Sequence, residues 1–509
     1  MHSDDPAFPF HGEPVSIIES CLARRGGSAF FRTLAAGLTG ILMAGCVSLA
    51  PSFEQPPLPV ASTYPGDAAL SPPGSRAASL GWQDYFIDPV LRQLIAQALA
   101  NNRDLRMALL RVEEARAAFQ IQRADLFPSI SIGADGSRGR VPGDLNLTGQ
   151  SRVTSQYQAN VGINAWELDF WGRIRNLNEA ALNEYLASDA ARRATQIMLV
   201  SQVANGYLIL RELDERVAIA RETIASRQES YRIFKLRNDV GSTSKLDLTQ
   251  VETLLTQARS LGAQLEQARA NQANALALLL GTPVETPLLQ PAPLEDGEVM
   301  RPLRVGLPSD LLIDRPDILA AEFRLRAANA NIGAARAAFF PRIALTGTYG
   351  SASAELDGLF DAGSRAWNFM PSVSLPIFDM GRRRANLELS EIRRDSAVAD
   401  YERTIQAAFR DVADALSDRH WLDEQVRIQK ETLATQHERA RLAQLRYDNG
   451  TASYLEVLDA KRDLLEAEQQ LVQTRRMLLS SKVSLYSALG GGSQTIETAP
   501  VYPYKARRR

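Results

Sequence analysis

Two hydrophobic periods alternate along this chain. In a first block, Ile130, Ile132 and Ala134 alternate with Ser129, Ser131 and Gly133. Beyond a polar, Gly-rich loop, Tyr157, Ala159, Val161, Ile163 and Ala165 alternate with Gln156, Gln158, Asn160, Gly162 and Asn164. A later block repeats the pattern, with Ile343, Leu345, Gly347 and Tyr349 alternating with Arg342, Ala344, Thr346 and Thr348, and Trp367, Phe369, Pro371, Val373 and Leu375 alternating with Asn368, Met370, Ser372 and Ser374. A period of two with one apolar face predicts strands, paired near 128–167 and 341–378. Elsewhere the spacing is three to four: Leu210, Leu213, Val217, Ala220 and Ile224 in one run, and Ile405, Phe409, Val412 and Leu416 in another. Both runs, 172–238 and 381–448, lack proline. They predict coiled-coil helices that reach about 100 Å at 1.5 Å per residue. Turns at Gly241 and Gly450 then return the chain on helices carrying Leu248, Val251 and Leu255, or Val457, Ala460 and Leu464.

The two blocks are copies. Residues 236–244 align without a gap with 445–453, and at the same offset Leu246 falls on Leu455 and Gly281 on Gly490. Upstream, the residues around Pro128 recur around Pro341. A unit of about 200 residues exceeds any solenoid period and marks a duplicated domain. The expected organisation is a signal peptide (1–45), a tether (46–84), a first repeat (85–290, with its helical hairpin at 172–281), a second repeat (291–495, hairpin at 381–490) and a tail (496–509).

Two architectures fit the strands. One is a small sandwich with the apolar face towards a core. The other is a transmembrane β-barrel wall, apolar towards lipid and polar towards a wet lumen. Segment length, the aromatics Tyr157, Trp166, Tyr349, Trp367 and Phe369 near segment ends, and long polar loops favour the barrel. Four strands cannot close a barrel, and an open edge in lipid is prohibitively costly. A ring of identical protomers completes the wall; three copies give twelve strands above a ring of helical hairpins. The expected fold is therefore mainly α with membrane β: a trimeric 12-stranded β-barrel continued by a long periplasmic α-helical barrel.

The N-terminus reads as an export signal. Arg24, Arg25 and Arg32 precede an apolar run, 33–44, too short to span a bilayer. It ends in Leu42-Met43-Ala44-Gly45-Cys46, which resembles a bacterial lipobox with Met43 in place of the usual Leu. Cys46 would then be the acylated first residue, carrying palmitate among its acyl chains; the alternative is an unacylated Cys beside an ordinary cleavage site. Val47, rather than Asp, points to the outer membrane. Residues 51–78, rich in Pro, Ser and Gly, read as an extended tether. The other cysteine, Cys21, leaves with the signal, so no disulfide framework is expected.

The net charge of −2 over 509 residues gives no electrostatic reason to expect nucleic acid. His420 and His437 are the histidines beyond the signal, and no nucleophile, base and orienting group come together in sequence. Neither an enzyme nor a metal or cofactor site is expected.

Cys46, the corner 169–173 (Asp-Phe-Trp-Gly-Arg), its counterpart 376–382, the Gly241 and Gly450 tips and the closing Leu489-Gly490-Gly491 resemble the outer-membrane efflux protein family. The resemblance covers nearly the whole mature chain and is nearest the lipoprotein branch serving RND-type tripartite pumps; TolC-like channels are more distant. It implies a homotrimeric channel in the outer membrane of a Gram-negative bacterium. It also implies two protein partners, a periplasmic adaptor (membrane fusion) protein and an inner-membrane RND-type transporter. The channel would be a passive exit duct for drugs or other small molecules. An exit duct of a type I protein secretion system has the same architecture and is the alternative.

In that family the hairpin tips meet the adaptor, which maps here to Val240, Gly241, Ser242, Asn449, Gly450 and Thr451. The glycines can equally be helix caps. Inward side chains close the family's channels, so Asp239 and Asp448, beside Arg237 and Arg446, are gate candidates by position; a solvated, salt-bridged helix end is the alternative.

Overall fold

The computed structural model describes residues 48–64, 75–283, 300–304, 306 and 308–497. The expected signal peptide, Cys46, the repeat boundary near 290 and residues 498–509 lie outside the described residues.

Each copy is built in the same order. In the first, helices α1 (Pro89–Asn101) and α2 (Arg103–Ala124) lead into strands β1 (Ile130–Val141) and β2 (Arg152–Glu167), then helices α3 (Arg173–Asp239) and α4 (Lys245–Leu280). In the second, α5 (Pro316–Ala337) precedes β3 (Arg342–Ser353), β4 (Arg365–Ser374), α6 (Arg382–Asp448) and α7 (Tyr454–Ala488). The equivalent helices α3 and α6 are each 67 residues long, which makes each about 100 Å. The strands join one antiparallel sheet in chain order, so the two copies meet where β2 pairs with β3.

The main core lies where the helix pairs overlap, far from the sheet in sequence. Tyr85 and Tyr486 stack at 4.2 Å among Phe86, Leu91, Leu208 and Leu276, all buried. Both phenols are satisfied: Tyr85 donates to the Lys482 carbonyl and Tyr486 to the Leu80 carbonyl, each at 2.9 Å. Below this core the hairpins are held by charge as well as by apolar seams. Arg476 of α7 meets Glu212 of α3 at 2.7 Å, and Arg475 meets Glu215 at 3.1 Å. Asp214, its side chain fully buried, is held by Arg211 and Arg269. Buried carboxylates need such partners, because an unpaired charge there is strongly destabilising.

The N-terminal segment 48–64 runs as a strap along these helices. Ser48 donates to Asn176 near the start of α3, Asn329 donates to the Pro51 carbonyl, Gln55 donates to the Tyr401 hydroxyl, and Tyr64 stacks on Phe409.

One expectation about the strands needs correction. The strict alternation expected up to Ala165 fails, because β2 carries a bulge between Ile163 and Trp166, and Ala165 adopts φ 49°. The extra residue puts Trp166, not Ala165, opposite Leu345 on the apolar face.

Candidate channel wall and hairpin tips

Residues directly opposite one another in antiparallel strands share a face of the sheet. The pairing therefore tests whether the apolar alternations of four separate segments coincide, and they do. Ile132, Val161, Tyr349 and Trp367 form one row across all four strands; Ile130, Ile163, Gly347 and Phe369 form the next. Among the described residues no element packs over these rows: Ile132 is 87% exposed and Trp367 75%. An uncovered apolar face of this extent suits hydrocarbon, not water. The opposite face carries Ser131, Gly162, Thr348 and Asn368 in one row and Asp135 with Gln158 in another. That face suits a wet lumen.

At the junction of the copies the backbones crowd. A Cβ on Gly350 would overlap the Ala159 carbonyl and lie 2.6 Å from Asn160 Cα, so only glycine fits. Where the wall turns into α3, Arg173 forks onto Glu167 with two bonds of 2.8 Å, and Arg342 of the other copy adds a third at 2.6 Å. The Trp171 indole donates to the Pro341 carbonyl at 2.9 Å and stacks on Phe340.

At the far end of the helices, Gly241 (φ 75°) and Gly450 (φ 71°) close the two tips, with open space around both. Each turn has the same bonds: Ser242 N–H donates to the Arg237 carbonyl at 2.8 Å, and Thr451 N–H to the Arg446 carbonyl at 2.9 Å. The left-handed backbone explains the glycines locally. Beyond the turns the tips differ. Ser244 and Asp247 form a reciprocal capping box at the start of α4, and the hydrogen bond from the Ser244 hydroxyl holds the Asp247 carboxyl below its usual range. Ser453 makes no such cap; instead Glu456 pairs with Arg446 at 2.6 Å.

The two hairpins are locked together just behind the tips. Phe234 of α3 packs on Tyr454 of α7 at 4.3 Å, and Tyr454 on Tyr447 of α6 at 4.8 Å. Leu248, Val251 and Leu458 complete this cluster. Arg237 closes it by donating to the Tyr447 hydroxyl at 2.7 Å. Above the lock, α3, α6 and α7 line a half-open cleft of about 260 Å³ that holds Glu222, Arg227, His437, Lys461 and Glu468. Among the described residues no three His, Cys, Asp or Glu side chains converge as a metal site.

A family model described as outer membrane efflux protein matches residues 94–282 and 307–491. The chain belongs to the outer membrane efflux protein family. Relatives agree. The toluene efflux pump outer membrane protein TtgC of Pseudomonas putida is 45% identical over 462 residues, 90% of this chain and 95% of that one. The antibiotic efflux pump outer membrane protein ArpC of Pseudomonas putida matches with the same identity and extent, 45% over 462 residues. A crystal structure of a membrane protein from Pseudomonas aeruginosa has a TM-score of 0.83 and 42% identity, covering 87% of this chain and 100% of that one.

As an outer membrane efflux protein the chain is a channel component and not an enzyme. In this channel, Val240 is 79% exposed, and Ser242, Asn449 and Thr451 direct their side chains back to carbonyls of their own turns. The four gate candidates do not form one cluster. Arg237 reaches Tyr447, Arg446 reaches Glu456, Asp448 accepts from Gln444, and Asp239 is exposed. Sequence reading missed Phe234, Tyr447 and Tyr454. A signal was present, since the counterparts of Tyr447 and Tyr454 in the first copy are Asn238 and Lys245. An aromatic gained by one copy of a duplication marks a contact that the other copy does not make.

The cleft above the lock gives a pH dependence. Burial pushes the Glu468 carboxyl up from its ordinary range, opposed by His437 at 3.8 Å and reinforced by the charge of Glu222. A carboxyl raised in the folded state contributes stability fully at low pH and loses it as pH rises through the folded value. Glu468→Gln is therefore expected to melt above the parent at about pH 7.5, the gap closing on acidification. Thermal melts across pH check this; a gap independent of pH counts against it.

Proposed function

We propose that this outer membrane efflux protein is a homotrimer, the exit duct of a tripartite pump. One observation carries the assembly: the sheet ends in two open edges, β1 and β4, whose unpaired N–H and C=O groups cannot remain in hydrocarbon. The duplication supplies the shape of the missing joint. Inside the protomer, β2 pairs with β3 while α3 packs on α5 and α7. Advancing every member by one copy sets β4 beside β1, and α6 against α2 and α4, of the next protomer. The surfaces this joint would cover fit it. Leu389, Ile392 and Trp421 on α6 are exposed, whereas their counterparts on α3, Ala180, Asn183 and Glu212, are buried. Met107 and Ile121 on α2 are exposed, whereas their counterparts Ala320 and Ala334 on α5 are buried. Three protomers close twelve strands.

The open space around Gly241 and Gly450 supports a tip-to-tip contact with a periplasmic adaptor, which would couple the duct to an inner-membrane RND-type transporter. The strap supports acylation of Cys46: Ser48, two residues later, is held at Asn176, close to where the wall turns into α3. The names of the relatives support small apolar molecules, solvents such as toluene or antibiotics, as cargo.

Two measurements test this reading. In detergent the mass should be three protomers; a monomer would overturn the closed wall. A deletion strain should become sensitive to toluene and to antibiotics. Normal tolerance with loss of one secreted protein would move the channel to protein secretion.

A further inference from the structure

The apolar rows do not extend to the outer ends of the strands. Helices join the strands at one end only, α2 before β1 and β2 before α3, so the far ends point away from the periplasmic body. Following the apolar face outward, past Tyr157, Tyr349 and Trp367, its character changes within two or three residues. Arg365 of β4 lies opposite Ser351, and Arg138 of β1 lies opposite Ser155, with Arg140 next on the same face. Ser353 stands opposite Tyr157. The face therefore passes from aliphatic and aromatic to arginine and serine along a staggered line: Arg365 and Ser351 lie one row inside Tyr157, Arg138 and Ser155 one row outside it, and Val153 faces Arg140.

These arginines have no counter-ion among the described residues. None of the three forms an ion pair, and the sole hydrogen bond given by their side chains is from Arg140 to Ser151, at 3.1 Å. The strand carboxylates are elsewhere: Asp135 is on the polar face, beside Gln158, and Glu167 is held by Arg173 and Arg342 at the inner end. Asp144, Glu355, Asp357 and Asp361 sit in the connecting loops, outside the strands. Arg138 and Arg140, neighbours on one face of β1, repel one another in a medium that screens poorly, and Arg365 stands at the other edge of the sheet, on the strand that the proposed joint sets beside the next protomer's β1. An anion at that depth relieves this, and guanidinium groups bind phosphate in forked geometry, with serine hydroxyls as further donors.

We propose that the outward face of this sheet binds a phosphorylated glycolipid of the outer leaflet, its phosphates on Arg138, Arg140 and Arg365 and its acyl chains along the apolar rows beneath. The proposal rests on the lipid-facing assignment of those rows, and it is independent of cargo and pump. A free phosphate would satisfy the arginines but would gain nothing from the apolar rows. The arrangement of both on one face selects the amphiphile. Strand pairing between protomers would consume the edges of β1 and β4, not this face, so the site persists in a closed wall.

The test uses the whole protein in nanodiscs of phosphatidylethanolamine containing either diphosphorylated lipid A or phosphatidylglycerol, with bound lipid counted by native mass spectrometry. The parent should retain lipid A at least about tenfold better than R138Q/R140Q/R365Q, whereas the loss for phosphatidylglycerol, which carries one phosphate, should be markedly smaller. Unchanged bilayer conductance of the variant confirms an intact channel. Equal retention of lipid A by parent and variant overturns the proposal, as does equal retention of both lipids by the parent. Displacement of lipid A by inorganic phosphate would reassign the arginines to a free anion and also overturn it. Should the triple variant fail to assemble, lipid A and its dephosphorylated form compared on the parent decide the matter: equal retention overturns the site.

Discussion

Replacing both Tyr447 and Tyr454 with alanine should leave the channel standing open, with a conductance in planar bilayers several-fold above the parent's closed level. The two tyrosines join α6 and α7 of one hairpin to Phe234 and Arg237 of the other. Each aromatic pair contributes about 0.5–1.5 kcal/mol beyond its buried area, and a hydrogen bond to a charged group about 1.5–3 kcal/mol, less where water reaches it. Three protomers multiply the loss. Burial raises the Tyr454 phenol, so it stays neutral and packed throughout the physiological range. Remote from the wall, these changes should leave the trimer's yield intact. Asp239→Ala with Asp448→Ala, measured in the same bilayers, separates a charge gate from an aromatic one. Unchanged conductance removes the carboxylates from the gate, and a closed channel in the tyrosine variant removes the lock.

Gly350→Val should abolish assembly outright. The added atoms would overlap the Ala159 carbonyl in the strand that joins the two copies, and neither backbone can move without breaking the ladder from Tyr157 to Ile163. Gly347→Ala is the control, because its nearest neighbour is 3.7 Å away, in ordinary contact. Heat-resistant trimer on a gel should vanish for the first and persist for the second; parental yield from Gly350→Val would show that the strands can part.

Much of this was legible in the sequence because periodicity is local. Alternation along 130–134 or 157–163 needs no knowledge of the neighbouring strand, and the paired glycine tips are visible as a repeat. Registry is different. That Ile132, Val161, Tyr349 and Trp367 form one row depends on pairing between segments far apart in the chain, which periodicity does not specify. The bulge at Ala165 was hidden for the same reason: it shows only against Leu345. Phe234, Tyr447 and Tyr454 escaped notice because each looks like an ordinary helix-face aromatic until two hairpins are brought together. The gate candidates were chosen by nearness to the tip, and nearness in sequence did not reveal that Arg237 and Arg446 have different partners.

The unequal tips have a mechanical consequence. A capping box is short-range and compact, so Ser244 and Asp247 stiffen the first turn at any ionic strength. The Arg446–Glu456 pair on the second turn is exposed, and salt weakens such a pair. Around the proposed trimer, three firm teeth would alternate with three yielding ones. Dilation of such an iris would start at every second tooth, and the effort needed would fall as the surrounding salt rose.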